Sequence, residues 1–372
     1  MKFVLILSII LYCQSGFSQI NTDTIYGNPK SLREKVDFYD ANFQNYKFLE
    51  LDGDYGHSLI FTPENVKDKF KRMWYRTSTC FYINYEKNYD SGGLPLNETW
   101  YYKNGDVHNE YFYKYNKNGK LIESIEQIDD INRRRIRRLS YDRKGNLVAT
   151  IAFNEQIENG FGKYSTFKYD SLNNLISYSN FNKDGYADTY YNSYNSKGQL
   201  IEESLHAPYF EHEIIKSKST SDIIPHKPNY VKRRLDYNID GNIIKEVNYR
   251  GASRDSSMRV YCYNDTKNLV EERYYYKPVD TNRYRIRRLI YDNNLLMKET
   301  YSSNSKHDPL NQSWSYTYNG NGDIKELTLL VNEKLYNIKY QYKFDRFNNW
   351  IEIIKIVDER PLYKWTRRIE YY

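Results

Sequence analysis

A tyrosine-led turn motif recurs along this chain and restricts its fold more than any other feature. The motif reads Tyr or Phe, then Asp or Asn, two variable residues, a turn residue, one further residue and an aliphatic residue. It begins at Tyr115, Tyr141, Tyr169, Tyr194, Tyr237, Tyr263, Tyr291, Tyr318 and Phe344. The spacings between successive copies are 26, 28, 25, 43, 26, 28, 27 and 26 residues. Regularity of this kind identifies a repeat protein.

The chemistry of the motif predicts a tight turn between two strands. Asp or Asn in the second position can accept a hydrogen bond from the backbone two residues on and start a type I turn. The fifth position needs a left-handed backbone, and it is glycine in most copies, including Gly145 and Gly241. Lys267 fills that position in one copy, where we expect strain. The copy at Tyr291, "YDNNLLM", is one residue shorter.

The segments between the turns predict the fold class. A strand-like stretch such as "LIESIEQI" follows each turn, and a second strand leads into the next tyrosine. Neighbouring strands in sequence tend to pair. We therefore expect an all-β fold, a long antiparallel up-and-down meander of about nine two-strand repeats, or about 18 strands. A sheet this wide is expected to curl or coil.

The region before the regular repeats predicts a cap. In "TPENVKDKFKRMW", Thr62 is a suitable N-cap, Pro63 suits the first helical position, and Trp74 lies on the apolar side. We expect a short helix within residues 19–100 that covers the terminal strand of the array. The array itself is predicted for residues 101–372, with an insertion at about 204–230.

The N-terminus predicts export. Lys2 precedes a short apolar run and then small residues, the pattern of a signal peptide over residues 1–18 with cleavage after Ser18. A lipoprotein anchor at Cys13 is the minor alternative, because the bulky Tyr12 precedes it. Export would deliver the protein to the periplasm, the cell surface or the medium. A mean hydropathy of -0.87 with 28% charged residues predicts no transmembrane segment.

The positive charge does not predict a nucleic-acid partner. The net charge is only +7, and two basic stretches, "RRRIRRL" and "RYRIRRL", repeat the same spacing before a Tyr-Asp turn. Repetition of this kind favours a structural role on strands. Two cysteines remain after the signal peptide, Cys80 and Cys262, and we expect both to be unpaired thiols.

The repeat units resemble a known class of sequence. "YDRKGNLV", "YNSKGQLIEE" and "YNIDGNIIKEV" are similar to the YD (Rhs) repeats of bacterial surface and toxin-carrier proteins. "WYYKNGDVHNEYFYKYNKNGKLIE" is also similar to MORN-like repeats, and "FDRFNNWIEIIK" resembles exported repeat proteins of Bacteroidota. The likeness covers Tyr101 to Tyr372. It implies an exported hairpin array, and large YD-repeat proteins wrap such a sheet into a shell around a toxin. This chain is far shorter, so we expect no cargo domain, and the resemblance implies no activity.

The insertion contains the candidate metal ligands. "LHAPYFEHEIIKSKSTSDIIPHKP" holds His206, His212 and His226. The His-x5-His spacing matches no familiar zinc site, so a solvated loop is the stronger interpretation and a metal site the weaker one.

The insertion also carries the predicted ligand contacts. Tyr209 and Phe210, with two nearby prolines, predict a partly rigid aromatic loop that projects over a tyrosine-lined sheet. We expect any ligand to contact this loop and the adjoining residues Tyr190, Tyr191 and Tyr237.

No catalytic signature predicts an enzyme. Gly-x-Ser-x-Gly, His-Glu-x-x-His and phosphate-binding glycine loops are missing from the sequence. Carboxylates at strand positions are expected to face Lys and Arg of neighbouring strands. We predict a non-enzymatic exported protein without cofactors, a structural element or a binding surface for a glycan or an extended peptide at the cell surface. The alternative is a metal-dependent hydrolase built on the histidine-rich insertion.

The turn interpretation makes a direct stability prediction. Replacing Gly145 or Gly241 with Val should lower the thermal unfolding temperature, because a β-branched residue resists positive φ. Calorimetry of both variants measures the effect. Unchanged unfolding temperatures in both would refute the hairpin assignment.

Overall fold

The fold is entirely β in the described part of the chain. A computed structural model describes residues 25–39, 84–101, 105–128, 133–155, 161–181, 185, 187–207, 229–249, 256–278, 280–304, 311–331 and 333–372. Within these ranges the secondary structure consists of 22 strands. They are β1 (Pro29–Phe38), β2 (Asn84–Tyr89), β3 (Pro95–Tyr101), β4 (Val107–Tyr115), β5 (Leu121–Ile128), β6 (Arg133–Tyr141), β7 (Leu147–Asn154), β8 (Phe161–Tyr169), β9 (Leu175–Phe181), β10 (Ala187–Tyr194), β11 (Leu200–His206), β12 (Asn229–Tyr237), β13 (Ile243–Tyr249), β14 (Ser256–Tyr263), β15 (Leu269–Lys277), β16 (Asp280–Asp292), β17 (Leu295–Ser303), β18 (Asn311–Tyr318), β19 (Ile324–Val331), β20 (Lys334–Phe344), β21 (Trp350–Val357) and β22 (Arg360–Tyr371).

The strands form one closed antiparallel barrel. Each strand pairs with the next along the chain, and β1 pairs with both β2 and β22. With about 4.8 Å between neighbouring strands, the circumference of the barrel is about 105 Å. A round barrel of this many strands encloses more space than its side chains fill.

Closure corrects the predicted fold class. The antiparallel meander is confirmed, but an open, curled array of about nine repeats with a helical cap is wrong. An additional turn motif at Tyr89 joins β2 to β3, and β1 and β22 add two further strands. The backbone groups at the ends of the meander pair with β1 rather than with a helix, and no helix occurs in the described residues. The helix predicted at residues 62–74 lies outside them.

The turns have the predicted geometry. In the turn at Asp142, the N–H of Asp142 donates to Asn146 O over 2.9 Å, and the N–H of Gly145 donates to Asp142 O over 3.0 Å. The same pair of backbone bonds occurs in the turns that begin at Asp90, Asn116, Asp170, Asn195, Asn238, Asn264, Asn319 and Asp345. Gly145 has φ 87° and Lys267 has φ 63°, so the fifth motif position is left-handed as predicted. Lysine is an unfavourable residue in this backbone conformation.

The shorter copy of the motif forms a two-residue turn. Asn293 has φ 47° and Asn294 φ 64°, and both values are left-handed. Two consecutive left-handed residues are typical of a type I′ hairpin, which suits Asn.

The motif tyrosines join successive hairpins. The hydroxyl of Tyr141, for example, donates to Leu121 O over 2.8 Å, across to the strand that follows the previous turn. The same bond, at 2.6 to 3.0 Å, runs from Tyr169 to Leu147, Tyr194 to Leu175, Tyr237 to Leu200, Tyr263 to Ile243, Tyr318 to Leu296 and Tyr342 to Ile324. Phe344 lacks a hydroxyl, and Tyr342, two residues earlier on the same face, makes this bond instead.

Side chains in the sixth motif position link neighbouring turns. Asn146 Nδ2 donates to Asn173 Oδ1 over 3.1 Å, and Asn268 Nδ2 donates to Asn294 Oδ1 over 2.9 Å. The sixth position is Asn or Gln in most copies, a regularity that the sequence interpretation left as a variable residue. These bonds connect the turns along one rim of the barrel.

The pairing register defines an inner and an outer face. Directly paired residues share a face, and one face carries fully buried aromatic residues such as Tyr85, Trp100, Tyr363 and Trp365. This face carries the most completely buried side chains, so we assign it as the inner, concave face of the closed sheet. Its apolar cluster lies on β1–β4 and β14–β22.

The apolar pattern reverses in β4–β7. Phe112, Ile125, Ile136 and Phe153 form one row of directly paired residues on the outer face. The inner face of β5–β7 carries mostly polar or small residues, such as Glu126, Arg135 and Thr150. The barrel interior is therefore apolar on one side and polar on the other.

A buried ion pair lies at the seam between β1 and β22. Glu34 and Arg367 are directly paired, their side chains are both 1% exposed, and Arg367 Nη2 lies 2.8 Å from Glu34 Oε1. The Arg367 guanidinium also stacks over Trp350, 3.5 Å from the ring centroid. The pair ties the first strand of the barrel to the last.

The seam makes a second stability prediction. Arg367→Met should lower the free energy of unfolding by about 3–5 kcal/mol, because it leaves the Glu34 carboxylate buried without its cation. Denaturant titration measures this loss, with Arg368→Met on the exposed face of the same strand as the control. Equal midpoints for the two variants would show that the pair does not support closure.

Candidate functional site

Three of the predicted ligand residues, Tyr190, Tyr191 and Tyr237, lie in the described part of the chain. Tyr190 lies on the inner face of β10, whereas Tyr191 lies on the outer face and is 49% exposed. Tyr237 holds two hairpins together through its bond to Leu200 O at 2.7 Å. Tyr209 and Phe210 lie outside the described residues. Adjacent strand residues point to opposite faces, which separates Tyr190 from Tyr191.

The proposed metal ligands are also not assembled in the described part of the chain. His206 ends β11 on the outer face, paired with Thr189, and His212 and His226 lie outside the described residues. Among the residues that the structure describes, no group of three or more His, Cys, Asp or Glu side chains could hold a metal ion. Cys262 is a free, exposed thiol, and Cys80 lies outside the described ranges.

The aromatic surface around Tyr190 is already occupied by its own neighbours. Tyr178 and Tyr190 stack in parallel with ring centroids 4.4 Å apart, and Phe167 stacks on Tyr178 at 6.3 Å. Lys232 Nζ lies 4.5 Å from the centroid of Tyr190. Burial raises the pKa of Tyr190. A ring covered in this way stabilises the wall and presents no free face to a ligand.

A row of alternating charges crosses the inner face from β11 to β17. The two middle carboxylates, Glu246 and Glu272, each lie between cations of the two adjacent strands, and the two end carboxylates, Glu203 and Glu299, each contact one cation of this row. The contacts are Lys232–Glu203 at 3.3 Å, Arg233–Glu246 at 3.8 Å, Arg259–Glu246 at 3.5 Å, Arg259–Glu272 at 3.5 Å, Arg287–Glu272 at 3.6 Å and Arg287–Glu299 at 2.5 Å. We call this row the ion ladder. It contains four carboxylates and four cations, so it is formally neutral.

Tyrosine hydroxyls complete the ion ladder. Tyr261 donates to Glu246 Oε2 over 3.0 Å, and Tyr316 donates to Glu299 Oε2 over 3.3 Å. Buried carboxylates need such partners because solvent does not reach them. The expectation that strand carboxylates face Lys and Arg of neighbouring strands is confirmed here.

The ion ladder follows a spacing that the sequence interpretation missed. An arginine stands four residues before the motif tyrosine and a glutamate nine residues after it, as in Arg233, Tyr237 and Glu246. In the shorter copy the glutamate, Glu299, stands eight residues after Tyr291. Counting residues from each tyrosine would have revealed both positions. Which of these positions pair across strands depends on the strand register that the turns set.

The inner face of β5–β8 has a different character. It carries Arg133, Arg135, Arg137 and Lys163, and we call these four cations, with the small residues between them, the basic sector. Glu126 pairs with Arg135 at 3.2 Å, yet the Arg135 side chain remains 46% exposed. Arg137 and Lys163 are exposed as well. The basic sector therefore presents accessible positive charge to the enclosed space.

Comparisons with known proteins leave the chain without a family. No family model matches it, and no curated protein does. Solved structures with some likeness include "Crystal Structure of TcdB2-TccC3-Cdc42", with a TM-score of 0.32 and 12% identity over 77% of this chain and 17% of that one. TcdB2-TccC3 without its hypervariable C-terminal region gives a TM-score of 0.31 and 12% identity over 75% of this chain and 16% of that chain.

A porin-like protein from Bacteroides uniformis is a third structural neighbour. Its TM-score is 0.25 at 9% identity, over 93% of this chain and 99% of that chain. By contrast, this chain spans only 17% and 16% of the length of the two TcdB2-TccC3 chains.

A helix with the length and hydropathy needed to cross a membrane does not occur among the described residues.

Partly buried tyrosines make the barrel sensitive to alkali. Burial, and then the charge of Asp90, raises the pKa of Tyr115 from 10.0 to about 12. Burial, and then a hydrogen bond to Asp345, raises the pKa of Tyr371 from 10.0 to about 12. The folded state therefore keeps these protons at a pH where the unfolded chain loses them.

Stability should consequently fall as the pH rises from 10 towards 12, and it should be fully present below 10. Denaturant midpoints at neutral pH and at pH about 11 measure the loss. The variant Tyr115→Phe should show a shallower decline. A midpoint that does not change over this range would contradict the burial of these phenols.

Proposed function

We propose that this protein is an exported, non-enzymatic hairpin-repeat barrel that binds a glycan or an extended peptide on its inner face. The repeat class is that of the YD-like proteins, which the turn motif and its tyrosine bonds support. Export is supported by the signal-like N-terminus. The final compartment is proposed as the cell envelope or the medium.

One observation carries the binding role, namely the difference in exposure between inner-face arginines. Arg367 sits among aromatic residues with its side chain 1% exposed, whereas Arg135 keeps 46% exposure on the same face of the same sheet. The barrel therefore fills one side of its interior and leaves the basic sector accessible. Accessible polar groups inside a rigid wall suit ligand binding.

The outer face suits contact with water. It carries exposed ion pairs such as Arg138–Glu123 at 2.8 Å and Arg234–Glu202 at 2.9 Å. Charged side chains of this kind are unfavourable against lipid. We therefore propose that the outside of the wall is solvated and acts as a structural surface.

Bulk added to the inner face tests the proposal. Ala152 lies on the inner face of β7 beside the basic sector, and Ala149 lies on the outer face of the same strand. Ala152→Tyr should abolish binding on a glycan and peptide array, whereas Ala149→Tyr should bind as the unmodified protein does. Circular dichroism of both variants checks that the barrel is intact.

Two outcomes would overturn the proposal. Equal binding by the two variants would move the ligand off the inner face. Chromatography of the bound ligand after incubation would reveal a hydrolase if shorter products appear. Replacing residues 206–226 with a short Gly-Ser link tests separately whether the insertion contributes to binding.

A further inference from the structure

Two strands of nearly identical sequence have different electrostatic surroundings. "RRRIRRL" lies on β6 and "RYRIRRL" on β16, and each places an arginine four residues before its motif tyrosine. These arginines, Arg137 and Arg287, both lie on the inner face. The two strands therefore provide an internal comparison of the same residue type in the same position.

The neighbouring strands decide the difference. Arg287 is paired in register with Glu272 on β15, and it contacts Glu299 on β17 at 2.5 Å. Arg137 is paired in register with Ser124 on β5 and Ala152 on β7. The neighbouring strands therefore neutralise the charge of Arg287, whereas they place two small, uncharged residues beside Arg137. Arg287 is buried and Arg137 is exposed.

A second cation continues this row. Lys163 on β8 is paired in register with Ala152, so Arg137 and Lys163 flank the small alanine two strands apart, a separation of about 10 Å along the sheet. Among the described residues no carboxylate forms an ion pair with Arg133, Arg137 or Lys163. The one inner-face carboxylate of β5–β8 is Glu126, which is paired with Arg135.

We propose that the basic sector binds an acidic glycan, a polysaccharide that carries carboxylate or sulfate groups. This inference rests on the proposed function and names its ligand class. Guanidinium and ammonium groups bind such anions through charge-assisted hydrogen bonds. The hydroxyls of Ser124, beside Arg137 on β5, and of Thr150, on β7 between β6 and β8, lie on the inner face and suit the hydroxyl groups of a sugar.

The closed wall and its aromatic residues favour a glycan over other polyanions. An acidic peptide would gain most by adding a strand to a free sheet edge, and the described sheet has none. Single-stranded nucleic acid needs exposed aromatic faces for its bases. The nearby inner-face rings of Phe167, Tyr178 and Tyr190 stack on one another.

A charge-matched pair of double variants tests the proposal. Arg137→Met with Lys163→Met removes two inner-face cations, and Arg138→Met with Lys168→Met removes two outer-face cations from the same strands, β6 and β8. Both reduce the net charge equally. Binding of polygalacturonate and dextran sulfate is measured by calorimetry, with neutral dextran and single-stranded DNA as comparison probes.

The inner double variant should lose more than about tenfold in affinity for the acidic polymers, whereas the outer double variant should change less than about twofold. Polygalacturonate and dextran sulfate distinguish the carboxylate from the sulfate form of the ligand. Neutral dextran should not bind. Both double variants should keep the unfolding temperature of the unmodified protein, because the residues that they replace are exposed.

Several results would overturn the inference. Equal loss in the two double variants would indicate unspecific attraction to the net charge. Tighter binding of DNA than of either acidic polymer would replace the glycan with a nucleic acid. If neither acidic polymer binds, the acidic glycan is ruled out. The proposed function still stands in that case if Ala152→Tyr abolishes the binding of other ligands on the array.

Discussion

The wall of this protein is one sheet thick, so the backbone ladder of every strand is completed by its two neighbouring strands alone. A meander built this way would leave two edges, and edge strands invite association with other chains. The pairing of β1 with both β2 and β22 removes both edges. The position of each inner-face side chain depends on this closure, because closure decides which side of the sheet is concave. The buried pair Glu34–Arg367 lies where that closure is made.

Two kinds of interaction maintain the register around the barrel. The tyrosine hydroxyls bond each hairpin to the previous one, and the ion ladder aligns charges across β11–β17. A slip of one residue in a strand of the ladder would turn the charged side chain of that strand to the opposite face. Buried ion pairs add little net stability, since their desolvation offsets their attraction. Their contribution is better understood as a requirement for one alignment, which matters in an array of similar hairpins that could pair in shifted registers.

The turns and the antiparallel meander were predictable from the sequence, and the closure of the sheet was not. The turn motif predicted the turn at Asp142, the left-handed backbone of Gly145 and the strain at Lys267, because all three follow from backbone sterics. Closure was not visible, because β1 carries no copy of the motif and pairs with a strand more than 300 residues away. Tyr190 and Tyr191, two of the predicted ligand residues, lie on opposite faces because a strand sends adjacent residues to opposite faces. Arg137 and Arg287 look equivalent in sequence, and only their cross-strand neighbours distinguish them.

The seam also sets the order in which the barrel can be completed. Hairpins form from residues close in sequence, whereas the contact between Glu34 and Arg367 spans 333 residues. Contacts of such separation form late and slowly, because a long loop must be closed first. Until β22 is available, β1 and the growing end of the meander expose unpaired backbone groups. During folding the chain therefore passes through an unclosed stage with exposed strand edges, and any factor that shields those edges would shorten this stage.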